Sequence, residues 1–410
     1  MLNLDRHPAG RHFLQIPGPS PVPDRILRAI DRQVIDHRGP EFATLGLTVI
    51  EGMQKIFRTR HPVVIYPSSG TGGWEAALVN TLSPGDRVLM VETGHFSNLW
   101  KKIADRLGLQ AEVIGGDWRQ GVDPAQLAHR LTLDPQHTIR AVCCVHNETS
   151  TGATSDIAAV RRAIDATGHP ALLMVDTVSG LGAADYRHDE WGVDVSVAGS
   201  QKGLMMPSGL AFNAVSPKAL QANKAARLPR SYWAWDEIIA ANGRGYWPYT
   251  PSTNLLYGLA EAIEILLDQG LEQVFARHQR HAAATRAAVA AWGLEVLCRI
   301  PQHHSPVLTA VLMPNDATGQ PHDADRLRQI ALDHFDVSLG MGLSKVAGRV
   351  FRIGHLGDFN DLTLLGTLAG IEMALGLAAV PHRQGGVQAA MEYLQKTVPP
   401  RIANVEPAPR

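Results

Sequence analysis

Between residues 63 and 215 the chain alternates short apolar runs with amphipathic stretches, and this alternation restricts its fold more than any other feature. Apolar, β-rich runs occupy 63–66, 87–92, 111–115, 139–146, 171–178, 193–198 and 210–215. Helical patterns lie between several of them, at 74–82, 97–107, 123–132 and 156–167, the last opened by Asp156 as an N-cap. Strands that are apolar along their whole length need cover on both faces. That predicts an α/β fold around a mostly parallel, seven-stranded sheet. Ligands of such sheets bind near the carboxyl ends of the strands, so residues there are the first functional candidates.

The flanking segments read differently. Pro17, Pro19, Pro21 and Pro23 exclude a regular helix or central strand over 12–23. They predict an extended arm, residues 1–23, lying across the body or across a partner subunit. Amphipathic helices are expected at 24–36 and 44–58, an irregular aromatic stretch at 216–250, and long helices at 252–268 and 271–292. After Gly293 come strands near 294–299, 306–313 and 349–354 and helices at 322–335 and 360–376. The expected organisation is therefore a large domain over 24–270, a smaller C-terminal α+β domain over 271–396, and a proline-rich, loosely ordered tail over 397–410.

A net charge of -1 offers no basic surface for nucleic acid or an anionic membrane. No apolar stretch reaches the roughly 18 residues of a membrane span, and the N-terminus lacks a secretory h-region. Cys143, Cys144 and Cys298 are expected as buried thiols in a reducing, cytoplasmic setting rather than a disulfide framework. The 18 histidines show no zinc-protease spacing, and no metal is expected.

Three local features carry chemistry. In Val195-Ser196-Val197-Ala198-Gly199-Ser200-Gln201-Lys202 a strand ends and a lysine follows within a tight turn. Partial burial there lowers the amine's pKa and supplies a neutral nucleophile. The strand Ala171–Asp176 ends in an acid that needs a cationic partner, such as a protonated pyridine nitrogen. In Ser68-Ser69-Gly70-Thr71-Gly72-Gly73 a strand enters a Gly-rich turn that opens a helix, a site for phosphate. It is not a Walker A loop, and Trp74 and Glu75 spoil the dinucleotide fingerprint. A nucleotide-binding dehydrogenase would explain the turn but neither Lys202 nor Asp176. A non-catalytic binding module has no residue in its favour.

With these features the chain resembles the class V aminotransferases of fold type I, nearest to the serine–glyoxylate and alanine–glyoxylate enzymes. The matching runs are Ser69-Gly70-Thr71-Gly72, His146-Asn147-Glu148-Thr149-Ser150-Thr151-Gly152, Asp189 to Asp194, Gly199-Ser200-Gln201-Lys202, Tyr249-Thr250-Pro251 and Lys345 to Gly357. The resemblance implies the pyridoxal-phosphate transferase fold, with pyridoxal 5'-phosphate as cofactor and Lys202 as its Schiff-base lysine. Asp176 would partner the pyridine nitrogen, Val178 and Phe96 the two ring faces, and Thr149 the ring hydroxyl. Ser69, Gly70, Thr71 and Gln201 would hold the phosphate. Thr250 and Trp247 would reach it from the neighbouring subunit, which implies a homodimer with shared active sites. Arg352 would clamp the substrate α-carboxylate, and His37 and Arg38 would line the partner's substrate pocket. The implied reaction moves an amino group from serine or alanine, with aspartate as an alternative, to glyoxylate. A lyase or a desulfurase on the same scaffold is the other reading. Two departures stand out: Thr177-Val178-Ser179-Gly180 where relatives carry Gly-Val-Ser-Ser, and Arg38-Gly39-Pro40 where they carry Arg-Ser-Pro.

Overall fold

A computed structural model describes residues 10–399. Most of the expected tail, and the first nine residues of the expected arm, lie outside the described residues. The apolar runs form the seven strands Val63–Ser68, Arg87–Val91, Gln110–Ile114, Ile139–Val145, Leu172–Asp176, Val195–Gly199 and Gly209–Val215. Across the sheet they run first, seventh, sixth, fifth, fourth, second, third. Only Gly209–Val215 runs antiparallel to its neighbours. The three central strands are buried on both faces almost throughout, which is why they carry no polar alternation.

The helices on this sheet start where their caps dictate. Asp123 accepts from Ala125 N–H and Asp156 from Ala159 N–H. Each satisfies an amide that the first helical turn leaves open. The Gly-rich run differs from its reading as a turn. The helix begins at Gly70, not at 74, so the glycines form its first turn. The 216–250 stretch also differs, because it contains helices Pro217–Ala225 and Trp235–Asn242. The first has Ser216 as cap and Pro217 at its opening position, a start signal that the surrounding aromatics hid. The helix expected over 24–36 stops at Ile30, and the next starts at Pro40.

A second, five-stranded sheet packs beside the first. Its order is Phe13–Gln15, Val337–Met341, Val350–Gly354, Leu308–Leu312 and Glu295–Val296. Two of these strands are absent from the sequence reading. Val337–Met341 is only five residues long, and Gly340 within it weakens the strand signal. Phe13–Gln15 lies in the arm and pairs in parallel with Val337–Leu339, so the arm is stitched into the second sheet. A C-terminal helix, Gly386–Lys396, also went unread. The hydrophobic residues gather in two large cores, one around each sheet. The helix Leu271–Trp292 joins them, with Val274 in the first and Ala284, Ala288, Val289 and Trp292 in the second. Among the described residues no helix is long and apolar enough to cross a membrane.

Replacing the Asp156 cap should lower stability by about 1 kcal/mol in Asp156→Ala, since one first-turn N–H loses its acceptor. Urea denaturation of the apo-protein measures it; an unchanged midpoint would mean that the cap contributes nothing.

Candidate active site

The carboxyl ends of the central strands meet the start of the Gly70–Thr81 helix in one cavity. It is walled by Ser69, Gly70, Thr71, Phe96, Thr149, Asp176, Val178, Gln201 and Lys202, together with Trp74, Asn147 and Ser179. The first nine were expected from sequence. The last three were not. Asn147 and Ser179 each stand two or three positions past a strand end, and their side chains bond each other at 2.8 Å. Strand-end position was the signal that could have found them. Trp74 stands one residue before the third-glycine position of the dinucleotide pattern, which Glu75 fills.

Asp176 is the most demanding residue in this cavity. It is 4% exposed and accepts the Val178 N–H at 2.7 Å. Burial pushes its pKa up to about 7 against the pull of that amide. The Glu148 carboxylate adds to the rise, while the Trp74 indole, which faces it without completing a hydrogen bond, and Lys202 oppose it. Lys202 follows the next strand and is shifted the other way. Burial, then the Arg352 charge, push its pKa down to about 8, against the attraction of Asp176. Acid and amine thus approach each other in proton affinity, as functional pairs do. The Lys202 amine donates to Pro17 O at 2.6 Å.

The helix N-terminus is built for an anion. Ser69 is its N-cap residue in extended backbone but spends no side-chain bond on capping, and no acid lies in the first turn. A Cβ at Gly70 would sit 2.6 Å from a Val178 methyl, so only glycine lets the helix start this close to the strand end. Gln201 Oε1 is buried there without a partner. A phosphate only accepts hydrogen bonds, so it would take them from the free helix N–H groups and from the NH2 end of the Gln201 amide, not from this oxygen.

Phe96 sits in the first turn of the His95–Arg106 helix, half-buried. Glu148, fully buried, holds that turn: it accepts from Phe96 N–H (3.4 Å), Ser97 N–H (3.3 Å) and the Ser150 hydroxyl (2.6 Å). Glu148 belongs to the His146–Gly152 run, where sequence alone assigns it no role. Arg352 is 7% exposed on the strand Val350–Gly354 of the second sheet. It donates from Nε to Met341 O (2.7 Å) and from Nη1 to Thr149 O (2.6 Å), and forms no ion pair among the described residues. Burial pushes its pKa down to about 10, the Glu148 charge restrains that, and it stays a cation. A guanidinium held by two carbonyls keeps the rest of its fork for a carboxylate.

Other expected residues stand elsewhere. Trp247 is buried in its own chain, donating from Nε1 to Ile65 O (2.9 Å) and edge-on to Phe42. Its indole N–H is thus already committed within its own chain. Thr250, His37 and Arg38 lie outside the cavity, with Thr250 and Arg38 exposed. The Thr177–Gly180 departure has a steric reason. The Thr177 hydroxyl bonds His146 Nδ1 at 3.1 Å. A Cβ at residue 180 would overlap that ring nitrogen and lie 2.9 Å from the hydroxyl. Threonine at 177 and glycine at 180 therefore go together. His146 itself is buried between Tyr186 and Trp191, its pKa pushed down by burial to about 4, and is neutral.

The sheet order and the strand-end acid and lysine facing a phosphate-binding helix define a pyridoxal-phosphate-dependent enzyme of fold type I. The family model for aminotransferase class-V matches residues 12–323, and the chain belongs to the class V aminotransferases. It is 47% identical to a serine–glyoxylate aminotransferase of Arabidopsis thaliana, covering 95% of this chain and 97% of that one. It is 45% identical to an L-aspartate–glyoxylate aminotransferase of Paracoccus denitrificans, over 93% and 96%. Among solved structures it resembles the pyridoxamine–pyruvate aminotransferase of Mesorhizobium loti, with a TM-score of 0.87 at 30% identity over 95% and 99% of the chains. Its cofactor is pyridoxal phosphate, and the residues described above fit that group.

The Asp176 shift has a consequence in the apo-protein. An acid whose folded pKa lies above its unfolded value of about 3.9 loses stability as pH rises from about 4 to about 7, and little more above. Asp176→Asn should therefore flatten the stability–pH curve of apo-protein across that window, read by urea denaturation at stepped pH. Parallel curves for the two proteins would show that Asp176 is not the titrating group.

Proposed function

We propose that the chain transfers the amino group of a small L-amino acid, serine foremost, to glyoxylate, giving glycine and a 2-oxo acid. The observation that carries this reading is the convergence of Lys202, Asp176 and the Gly70 helix start on one cavity in a class V aminotransferase. The serine–glyoxylate names of relatives at 47% identity favour serine. The aspartate–glyoxylate relative at 45% favours aspartate as the second reading, and alanine is a further candidate donor. The desulfurase alternative lacks its nucleophile, because all three cysteines are buried and burial raises their pKa values.

Bound pyridoxal phosphate would supply the aldehyde that takes up the amino group and an electron-withdrawing ring. The chain's own groups do the rest. The first-turn amides from Gly70 on, the Ser69 and Thr71 hydroxyls and Gln201 anchor the phosphate. Phe96 and Val178 bracket the ring, with Thr149 near its hydroxyl. Asp176 holds a proton on the ring nitrogen, and that cation offsets the cost of burying the carboxylate. Lys202, with its depressed pKa, takes the proton from substrate Cα at Nζ and returns it. Arg352 fixes the substrate carboxylate and so the direction of the Cα–H bond.

The proposal includes a cytoplasmic homodimer with shared active sites. Exposed Thr250 and Arg38, and half-buried His37, would act across the interface, and the reduced thiols fit a reducing compartment.

Serine, alanine and aspartate offered with glyoxylate, with glycine and each 2-oxo acid quantified, test the donor order. The serine reading requires the highest kcat/KM for serine, and the whole reading fails if no donor forms glycine. Arg352→Lys keeps the charge but loses the planar fork. Its kcat/KM should fall roughly 10- to 100-fold, the loss of one charge-assisted hydrogen bond. Steady-state kinetics checks this, and an unchanged value would remove Arg352 from the carboxylate contact.

A further inference from the structure

Residues 16–20 of the arm pass between Lys202 and the smaller sheet and are fixed from both sides. Ser20 N–H donates to Gln201 O (3.0 Å), and the Ser20 hydroxyl donates to Lys202 O (2.8 Å). On the opposite side Ile16 lies against Gly354 and the Pro17 ring against Gly340, at contacts that no Cβ could share. At Gly18 φ is 104°, and a Cβ would overlap Lys202 Cδ and Nζ. Glycine is thus required at 18 both by the backbone and by the lysine beside it. This contact yields one polar bond, from Lys202 Nζ to Pro17 O, the amine's hydrogen bond among the described residues.

We propose that the Pro17 carbonyl is the resting acceptor of Lys202 whenever the lysine is not joined to the cofactor, so that Pro17 and Gly18 are positioning residues for the amine. The proposal rests on the reading of Lys202 as the cofactor-carrying lysine. In transamination the substrate's nitrogen replaces the lysine's on the cofactor, and the lysine leaves as a free amine. It stays free while the cofactor holds the amino group as pyridoxamine phosphate. A polar group enclosed without a partner is costly, so a waiting acceptor favours that half of the cycle. A backbone carbonyl suits the task better than a carboxylate would. It accepts from the amine in either protonation state, takes up no proton, and does not lock the lysine as a cation. The amine's depressed pKa, near 8, agrees with an acceptor that carries no charge.

The test compares the affinity of apo-protein for pyridoxal phosphate and for pyridoxamine phosphate, by fluorescence titration. Gly18→Ala should leave pyridoxamine phosphate within about twofold, because apo-protein and that complex lose the same bond, and should tighten pyridoxal phosphate about tenfold, because joining the lysine to the cofactor no longer gives up a hydrogen bond from a charged donor. In a Lys202→Ala background the same substitution should have no selective effect, because no amine is left to place. An equal change for both cofactor forms, no change for either, selective weakening of pyridoxal phosphate, or a selective effect that survives without Lys202 would each overturn the proposal. If Gly18→Ala does not fold, Ser20→Ala loosens the arm's tether to Lys202 O without adding volume, and the same comparisons decide. Borohydride trapping of pyridoxal phosphate on wild-type protein separates the two levels. No trapping on Lys202 refutes the underlying reading, whereas trapping without a selective gain for pyridoxal phosphate refutes only the Pro17 role.

Discussion

The arrangement depends on a carboxylate taken out of water. Asp176 ends a central strand, almost wholly enclosed, with one amide bonded to it and, among the described residues, no cation in contact. Left alone, such a group would hold its proton. Its neighbours are placed to make ionisation attainable rather than complete: the Val178 amide, the Trp74 indole and the Lys202 charge lower its pKa, while burial and Glu148 raise it. What is missing is a positive charge of the right shape, and a pyridinium ring is one. The sheet supplies the geometry for this. Parallel strands bring Asp176 and the turn before Lys202 to the same edge, and the Gly70 helix reaches that edge because nothing larger than glycine fits against Val178.

The second sheet contributes a charge of opposite sign under a similar constraint. Arg352 is nearly as enclosed as Asp176 and also lacks an ion pair among the described residues, but two carbonyls hold it in place. One of them, Thr149 O, follows Glu148, whose carboxylate organises the turn carrying Phe96. Arg352, the proposed carboxylate clamp, and Phe96, the proposed ring-stacking aromatic, are therefore anchored to neighbouring residues of one loop. A displacement of that loop would move both together.

Much of this was legible in the sequence. The seven apolar runs became the seven strands, because burial on both faces removes polar alternation. The Asp156 cap and the helices near 253–269 and 271–292 followed from local signals. Lys202, Asp176 and the Gly70 turn were found by their positions after strands. The unread parts have identifiable causes. Val337–Met341 and Phe13–Gln15 are specified by each other across the chain, and neither has a strong pattern of its own. Asn147, Ser179 and Glu148 act through hydrogen bonds inside loops, where spacing carries no period. The Trp247 indole bonds Ile65 O, a contact that sequence did not suggest because resemblance transfers a position but not a rotamer. Thr177 and Gly180 looked like two separate departures and are one steric adjustment around His146.

The pairing of Phe13–Gln15 with Val337–Leu339 bears on how the protein comes into being. His12 and Asp336, bonded beside that pair, are 324 residues apart in the chain. During synthesis the N-terminal strand emerges first and its partner among the last, so for most of translation the arm has an unpaired edge and no sheet to join. The larger sheet is complete by residue 215 and can form earlier. The segment that touches the lysine is therefore the one whose seating waits for the far end of the polypeptide. A ribosome-bound fragment would carry the lysine, the strand-end acid and the phosphate helix while its N-terminal strand still lacked a neighbour.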